Sequence, residues 1–137
     1  MNILFDTNVI LDGLLDRKPF GQQAASLFNT VEESIINGFI CADSVTTLFY
    51  LMQKAKNQQF ARQKIKVLLD LFEIAAVNRA VLEDALNGGF HDYEDGVVYH
   101  AAMAIHADGI VTRNTADFRS SKIPVYSPSE LLTAINQ

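Results

Sequence analysis

The chain has one cysteine, no tryptophan, three prolines and seven glycines in 137 residues. A single thiol, Cys41, excludes an internal disulfide framework and a cysteine-ligated zinc site. Cys41 follows Phe39 and Ile40 in an apolar run, which reads as a buried, inert side chain rather than a nucleophile. No apolar run reaches the length of a membrane span, and residues 1–20 lack the basic, apolar, small-residue order of a signal peptide. The expectation is a cytoplasmic chain with no membrane partner. No glycine-rich phosphate loop follows the first apolar run, which argues against a nucleotide-binding α/β domain. Positive charge is scarce: 11 Lys and Arg stand against 16 Asp and Glu, a net charge of −5. That argues against generic electrostatic binding to nucleic acid. It leaves room for a nuclease, because carboxylates that hold metal ions add negative charge at a site.

What is present has the pattern of one domain over residues 1–137, long enough for a substantial core. Ile3-Leu4-Phe5 is a short apolar run, suited to a strand buried on both faces of a parallel sheet. It runs directly into Asp6-Thr7-Asn8 and then an apolar helix over Val9–Leu15. Pro19 suits the first turn of a second helix reaching about Asn37, with Asn37-Gly38 as its C-cap. A second strand over Phe39–Ala42 leads to a third helix capped by Asp43 or Ser44, with Val45, Leu48, Phe49, Leu51 and Met52 inward. A fourth helix covers Gln59–Phe72 with Ile65, Leu68, Leu69 and Phe72 as its stripe. Glu73–Val77 reads as a strand, Asn78 caps a helix over Arg79–Leu86, and an Ala-rich helix follows Phe90–Asp95 as far as about Ala107. Strands at Gly109–Thr112 and Val125-Tyr126 precede a last helix opened by Ser127-Pro128-Ser129-Glu130. Alternating helices and strands imply a three-layer α/β/α sandwich with a central, mostly parallel sheet. The consecutive third and fourth helices fit a hairpin on one side of it.

Three places set carboxylates beside strand or helix ends: Asp6, the cluster Asp92/Glu94/Asp95, and Asp117 in Thr112-Arg113-Asn114-Thr115-Ala116-Asp117-Phe118. In a parallel sheet all carboxyl ends lie on one edge, where ligands bind. Each position has a plainer reading. Asp6 alone reads more readily as an N-cap, the acids at 92–95 are favoured by the helix dipole, Thr112 and Asn114 suit a turn, and Asp117 suits the surface. Together they describe carboxylates converging on one edge, which repel one another unless a cation lies among them. Oxygen ligands with room for water suit Mg²⁺ or Mn²⁺. His91, His100 and His106 show no zinc-ligand spacing.

With these residues in this order, the chain resembles the PIN domain, the fold of VapC-type toxins and other metal-dependent ribonucleases. The resemblance covers essentially the whole length. It rests on Ile3-Leu4-Phe5-Asp6-Thr7-Asn8, on Asp92-Tyr93-Glu94-Asp95 leading into Ala101-Ala102-Met103-Ala104, on Gly109 to Asn114 followed by Asp117-Phe118, and on the ending Ile123–Leu132. It implies an endoribonuclease dependent on Mg²⁺ or Mn²⁺, in which Asp6, Asp95 and Asp117 are catalytic metal ligands and Asp92 a helper. Thr7, Asn8, Thr112 and Asn114 would orient those carboxylates. It also implies RNA as substrate, a cognate antitoxin as partner and a homodimer. Lys54, Lys56, Arg62 and Arg113 are candidates to steer the RNA backbone, with a solvated helical face as the alternative.

One departure bears on catalysis. The family usually carries a Glu about two turns into the third helix; counted from Ser44, that position falls near Tyr50, and no acid occurs from Ser44 to Lys54. The alternative reading is a non-catalytic PIN-like module that binds RNA or a protein.

Overall fold

A computed structural model describes residues 1–136. Its centre is the strand β1 (Asn2–Phe5), whose side chains alternate between two cores. Ile3 and Phe5 point to one side and Leu4 to the other, all fully buried. The elements that follow are α1 (Thr7–Leu15), α2 (Gly21–Glu32), β2 (Asn37–Cys41), α3 (Ala42–Ala55), α4 (Gln58–Leu71), β3 (Glu73–Ala75) and α5 (Arg79–Asn87). Then come α6 (Tyr93–Ala104), β4 (Gly109–Val111), a 3₁₀ turn (Thr115–Phe118), β5 (Val125–Tyr126) and α7 (Pro128–Ile135). The strands form one five-stranded sheet in the order β3-β2-β1-β4-β5, and each neighbouring pair is parallel. The expected three-layer sandwich is present, with a sheet parallel throughout.

One core holds Ile3, Phe5 and Ile40 against residues of α1 to α4 and α7, and its aromatic centre is Phe5 edge-on to Phe72 at 5.0 Å. The other holds Leu4, Cys41 and Ile110 against α5, α6 and Phe118. Burial pushes the Cys41 thiol up to about 11, as its inert reading requires.

Several boundaries differ from the sequence expectation, each for a local reason. The second helix does not begin at Pro19, because the Arg17 carbonyl accepts both the Phe20 and Gly21 N–H groups and closes a turn first. It stops at Glu32 rather than Asn37. Ser34 takes the left-handed conformation (φ 60°), and the Asn37 N–H donates to the Met1 carbonyl, entering the sheet. Gly38 is therefore a strand residue, not a cap. A methyl group there would come within 2.7 Å of the Phe72 ring and 2.9 Å of Val31. Gly38→Ala should lower stability by about 1–3 kcal/mol in urea unfolding, because ring and backbone must separate to admit it. At the third helix, Cys41 takes the capping position, and neither Asp43 nor Ser44 does. In α4, Leu68 is buried but Leu69, a hundred degrees further round, is 52% exposed. The sixth helix ends at Ala104, where His106 adopts a left-handed turn (φ 53°) and the Ala107 N–H reaches back to the Ala102 carbonyl.

Candidate active site

The site is built where β1 and β4 end side by side. The Asp6 N–H donates to the Val111 carbonyl, which brings Asp6 next to Thr112. Asp6 is 9% exposed, and one of its oxygens accepts the Thr7 N–H at 2.9 Å while the other accepts the Thr112 hydroxyl at 2.9 Å. Asp6 thus caps α1 and also stands at the carboxyl edge of the sheet, so the two readings of this residue are compatible. The fully buried Thr112 hydroxyl accepts from Asn8 Nδ2 (3.4 Å) and from the Asn114 N–H (3.0 Å). With both lone pairs engaged, its single proton is directed to Asp6. Asn8 also accepts the Arg113 N–H on Oδ1 at 3.2 Å. Asn8, Thr112 and Asn114 therefore form one network around Asp6, whereas Thr7 contributes its backbone.

Two further segments supply the other carboxylates. Asp92 caps α6, accepting the Asp95 N–H at 3.1 Å, so the dipole reading of that acid is also realised. Asp95, half-buried in the first turn, faces a cleft of about 500 Å³ that Asp92, Asp117, His91, Phe90 and Arg119 also line. Asp117 stands on the 3₁₀ turn, whose N–H to the Asn114 carbonyl folds the chain back over the cleft. Burial, and then the negative charges of Asp6, Asp92, Asp117 and Glu94, push Asp95 up to about 7. Burial also raises Asp6, partly offset by its hydrogen bonds from Thr112 and Thr7. Four carboxylates from three distant segments thus feel one another's fields. The charge is uncompensated within the cleft except for Arg119 on its wall.

Among the described residues, no group of three or more His, Cys, Asp or Glu side chains is placed to hold a metal ion together. The fit is to an ion that keeps much of its water and takes one or two carboxylates, the habit of Mg²⁺. Asp6 and Asp95 offer oxygen donors and an electrostatic deficit that a cation relieves.

The expected cationic residues are placed elsewhere. Arg113 does not face the cleft. Its guanidinium lies 3.9 Å over the Phe20 ring and binds Asp12 through Nε at 2.6 Å. α3 starts at the site edge and runs away from it, so Lys54 in its last turn lies roughly 20 Å off. Lys56 lies between α3 and α4 and Arg62 within α4, and all three are exposed, as either an RNA-steering role or a solvated face requires. Arg119 is the arginine on the cleft wall. Tyr50 is 62% exposed, one turn beyond Thr46 and Thr47 on the same stripe of α3. The α3 residues that meet the head of α6 are Asp43, Thr46 and Thr47, which line a cavity of about 360 Å³ with Tyr93, Glu94 and Val97.

Sequence reasoning missed Asp12, which is 1% exposed within α1. The available signal was a carboxylate among the apolar residues Val9 to Leu15.

A parallel sheet with Asp6 at the carboxyl end of its central strand, and with Asp92, Asp95 and Asp117 brought within its field, defines an α/β domain with an acidic cluster at the sheet edge. The PIN domain family model matches residues 2–116, and the chain belongs to that family. No curated protein matches it in sequence. Among solved structures, it is similar to the DNA-bound VapBC of Salmonella typhimurium, with a TM-score of 0.71 and 15% identity over 93% of this chain and 98% of that one. A toxin–antitoxin complex from Klebsiella pneumoniae gives 0.68 and 23% identity, covering 92% and 97%. VapC20 of Mycobacterium tuberculosis, a sarcin-ricin loop cleaving toxin, gives 0.65 and 11% identity, covering 79% and 86%. At these identities the likeness is one of fold.

Proposed function

We propose that this PIN domain is a metal-dependent endoribonuclease and the toxin of a toxin–antitoxin pair, with Mg²⁺ or Mn²⁺ as cofactor. The observation that carries the reading is Asp95, raised to about 7 by burial and by the charges of Asp6, Asp92 and Asp117, in an open cleft that Asp92 and Asp117 also line. Asp6 and Asp95 would hold the ion, with Asp117 and Asp92 reached directly or through water. The chemistry a bound ion supplies is activation of water and relief of charge on the phosphodiester. The remaining work falls to the chain: Thr112 fixes the Asp6 carboxylate, Asn8 and Asn114 fix Thr112, and Arg119 stands where a substrate phosphate would enter.

The toxin reading draws on the toxin–antitoxin complexes among the similar structures. A small antitoxin presenting a basic side chain would suit the anionic cleft. Exposed apolar residues such as Val67, Leu69 and Leu86 are compatible with a homodimer.

Incubation of the purified chain with a fluorescent RNA tests the activity. Cleavage is expected with Mn²⁺ and none in EDTA. Intact RNA together with no Mn²⁺ uptake by calorimetry would remove the enzyme. A second reading, a non-catalytic RNA- or protein-binding module, is favoured by the absence of an acid from Ser44 to Lys54. RNA retention without cleavage in the same experiment would select it.

A further inference from the structure

We propose that Asp12 is a positioning residue for Asp6, acting through Arg113 and the loop after β4; this rests on reading Asp6 as a metal ligand. Asp12 lies outside the cleft, 1% exposed in α1 directly after the buried Val9, Ile10 and Leu11, and its carboxylate meets two arginines. Arg113 grips both of its oxygens, through Nε at 2.6 Å and Nη2 at 3.3 Å. Arg17 adds Nε at 2.9 Å and Nη2 at 2.8 Å, both to one oxygen. A two-pronged arginine contact fixes direction as well as distance, and the Phe20 ring beneath the Arg113 guanidinium removes its remaining freedom.

That grip reaches Asp6 by an unbroken series of hydrogen bonds. The Arg113 N–H donates to Asn8 Oδ1, Asn8 Nδ2 to the Thr112 hydroxyl, and the Thr112 hydroxyl to Asp6. Arg17 joins from the other side, donating to the Asn8 carbonyl at 3.4 Å. Stability alone does not require this arrangement, because an apolar residue commonly replaces a buried ion pair at little or no cost. What a charged Asp12 supplies is orientation. Anchoring Arg113 to α1 holds the loop after β4 in register with Asn8, which leaves the Thr112 proton no target but Asp6.

The test uses the full chain and two readouts, amide hydrogen exchange by NMR without metal and Mn²⁺ calorimetry. In Asp12→Asn the amides of Thr7, Arg113 and Asn114 should exchange at least about tenfold faster, while those of α5 and α6 keep their protection. The Mn²⁺ dissociation constant should rise ~10-fold, the scale of losing an outer partner of a metal ligand. Arg113→Gln, at a partly exposed position, cuts the series from the other end and carries the test if Asp12→Asn does not fold. A folded Arg113→Gln whose residue 113 and 114 amides stay protected overturns the proposal and leaves Asp12 as an ion pair only. Uniform loss of protection in both variants overturns it too. A wild-type chain that takes up no Mn²⁺ defeats the metal reading instead, and the local amide pattern still decides whether Asp12 orients Asp6.

Discussion

Asp6→Asn and Asp95→Asn should each reduce Mn²⁺-dependent RNA cleavage by at least about 100-fold, with the fold intact. Substitutions in the shell around a metal ligand typically cost 10–100-fold, and these two remove the proposed ligands themselves. The variants differ in a way that separates site from scaffold. Asp6→Asn replaces an oxygen that accepts from Thr112 or Thr7 with an amide that donates, so one of those hydrogen bonds is lost and stability falls by about 1–3 kcal/mol. Asp95 makes no such side-chain contact, and neutralising it removes repulsion with Asp6, Asp92, Asp117 and Glu94. Asp95→Asn should therefore be at least as stable as the wild type without metal, while losing activity. Gel-based cleavage rates and thermal unfolding in EDTA give both quantities. A variant of Asp95 that cleaves RNA at the wild-type rate removes the assignment.

In EDTA, stability should fall as pH rises from about 4 to about 7 and then level off. An unfolded Asp titrates near 3.9, whereas folded Asp95 holds its proton up to about 7. Between these values the folded chain binds more protons than the unfolded one, so raising the pH favours unfolding. The raised Asp6 acts in the same direction. One proton contributes at most about 1.4 kcal/mol per pH unit, and solvent screening of the partly exposed Asp95 reduces that. Saturating Mn²⁺ should oppose this fall as pH approaches neutrality, because the ion binds the charged carboxylates of the folded state. At a free concentration a hundred times its dissociation constant, it adds about 2.7 kcal/mol. Urea midpoints measured from pH 4 to 8, with EDTA and with Mn²⁺, check both signs. A midpoint that rises with pH in EDTA would show that these carboxylates are not crowded.

The two faces of α3 show where sequence patterns stop being informative. Leu48 and Met52 lie inward as their spacing requires, whereas on the stripe of Asp43, Thr46, Thr47 and Tyr50 the first three meet the head of α6 and Tyr50 is left solvent-facing. The helix start was not legible either: Cys41, with no capping side chain, stands at the position that Asp43 or Ser44 was expected to hold. Arg113 illustrates a different limit. Its neighbours Thr112 and Asn114 have their roles set by local turn geometry, but its long side chain takes the direction of the nearest buried carboxylate. That carboxylate is Asp12, 101 residues earlier.

The sequence by itself determined the layering and the edge on which chemistry gathers. Short apolar runs, each followed by a helix start, allow few arrangements other than a parallel sheet covered on both sides, and a parallel sheet puts every strand's carboxyl end together. It also determined that Asp6 would be at that edge. Only the tertiary structure decided which polar residues act on Asp6 and which carboxylates share its field. Asp92 and Asp95 come to it from α6 and Asp117 from the 3₁₀ turn, through packing between segments about a hundred residues apart in the chain. No local pattern encodes that approach, because it depends on how α6 and the loop after β4 settle against the sheet rather than on their own periodicity. The same packing buried Asp12 and turned an unremarked residue of the first helix into the anchor of the loop that carries Thr112.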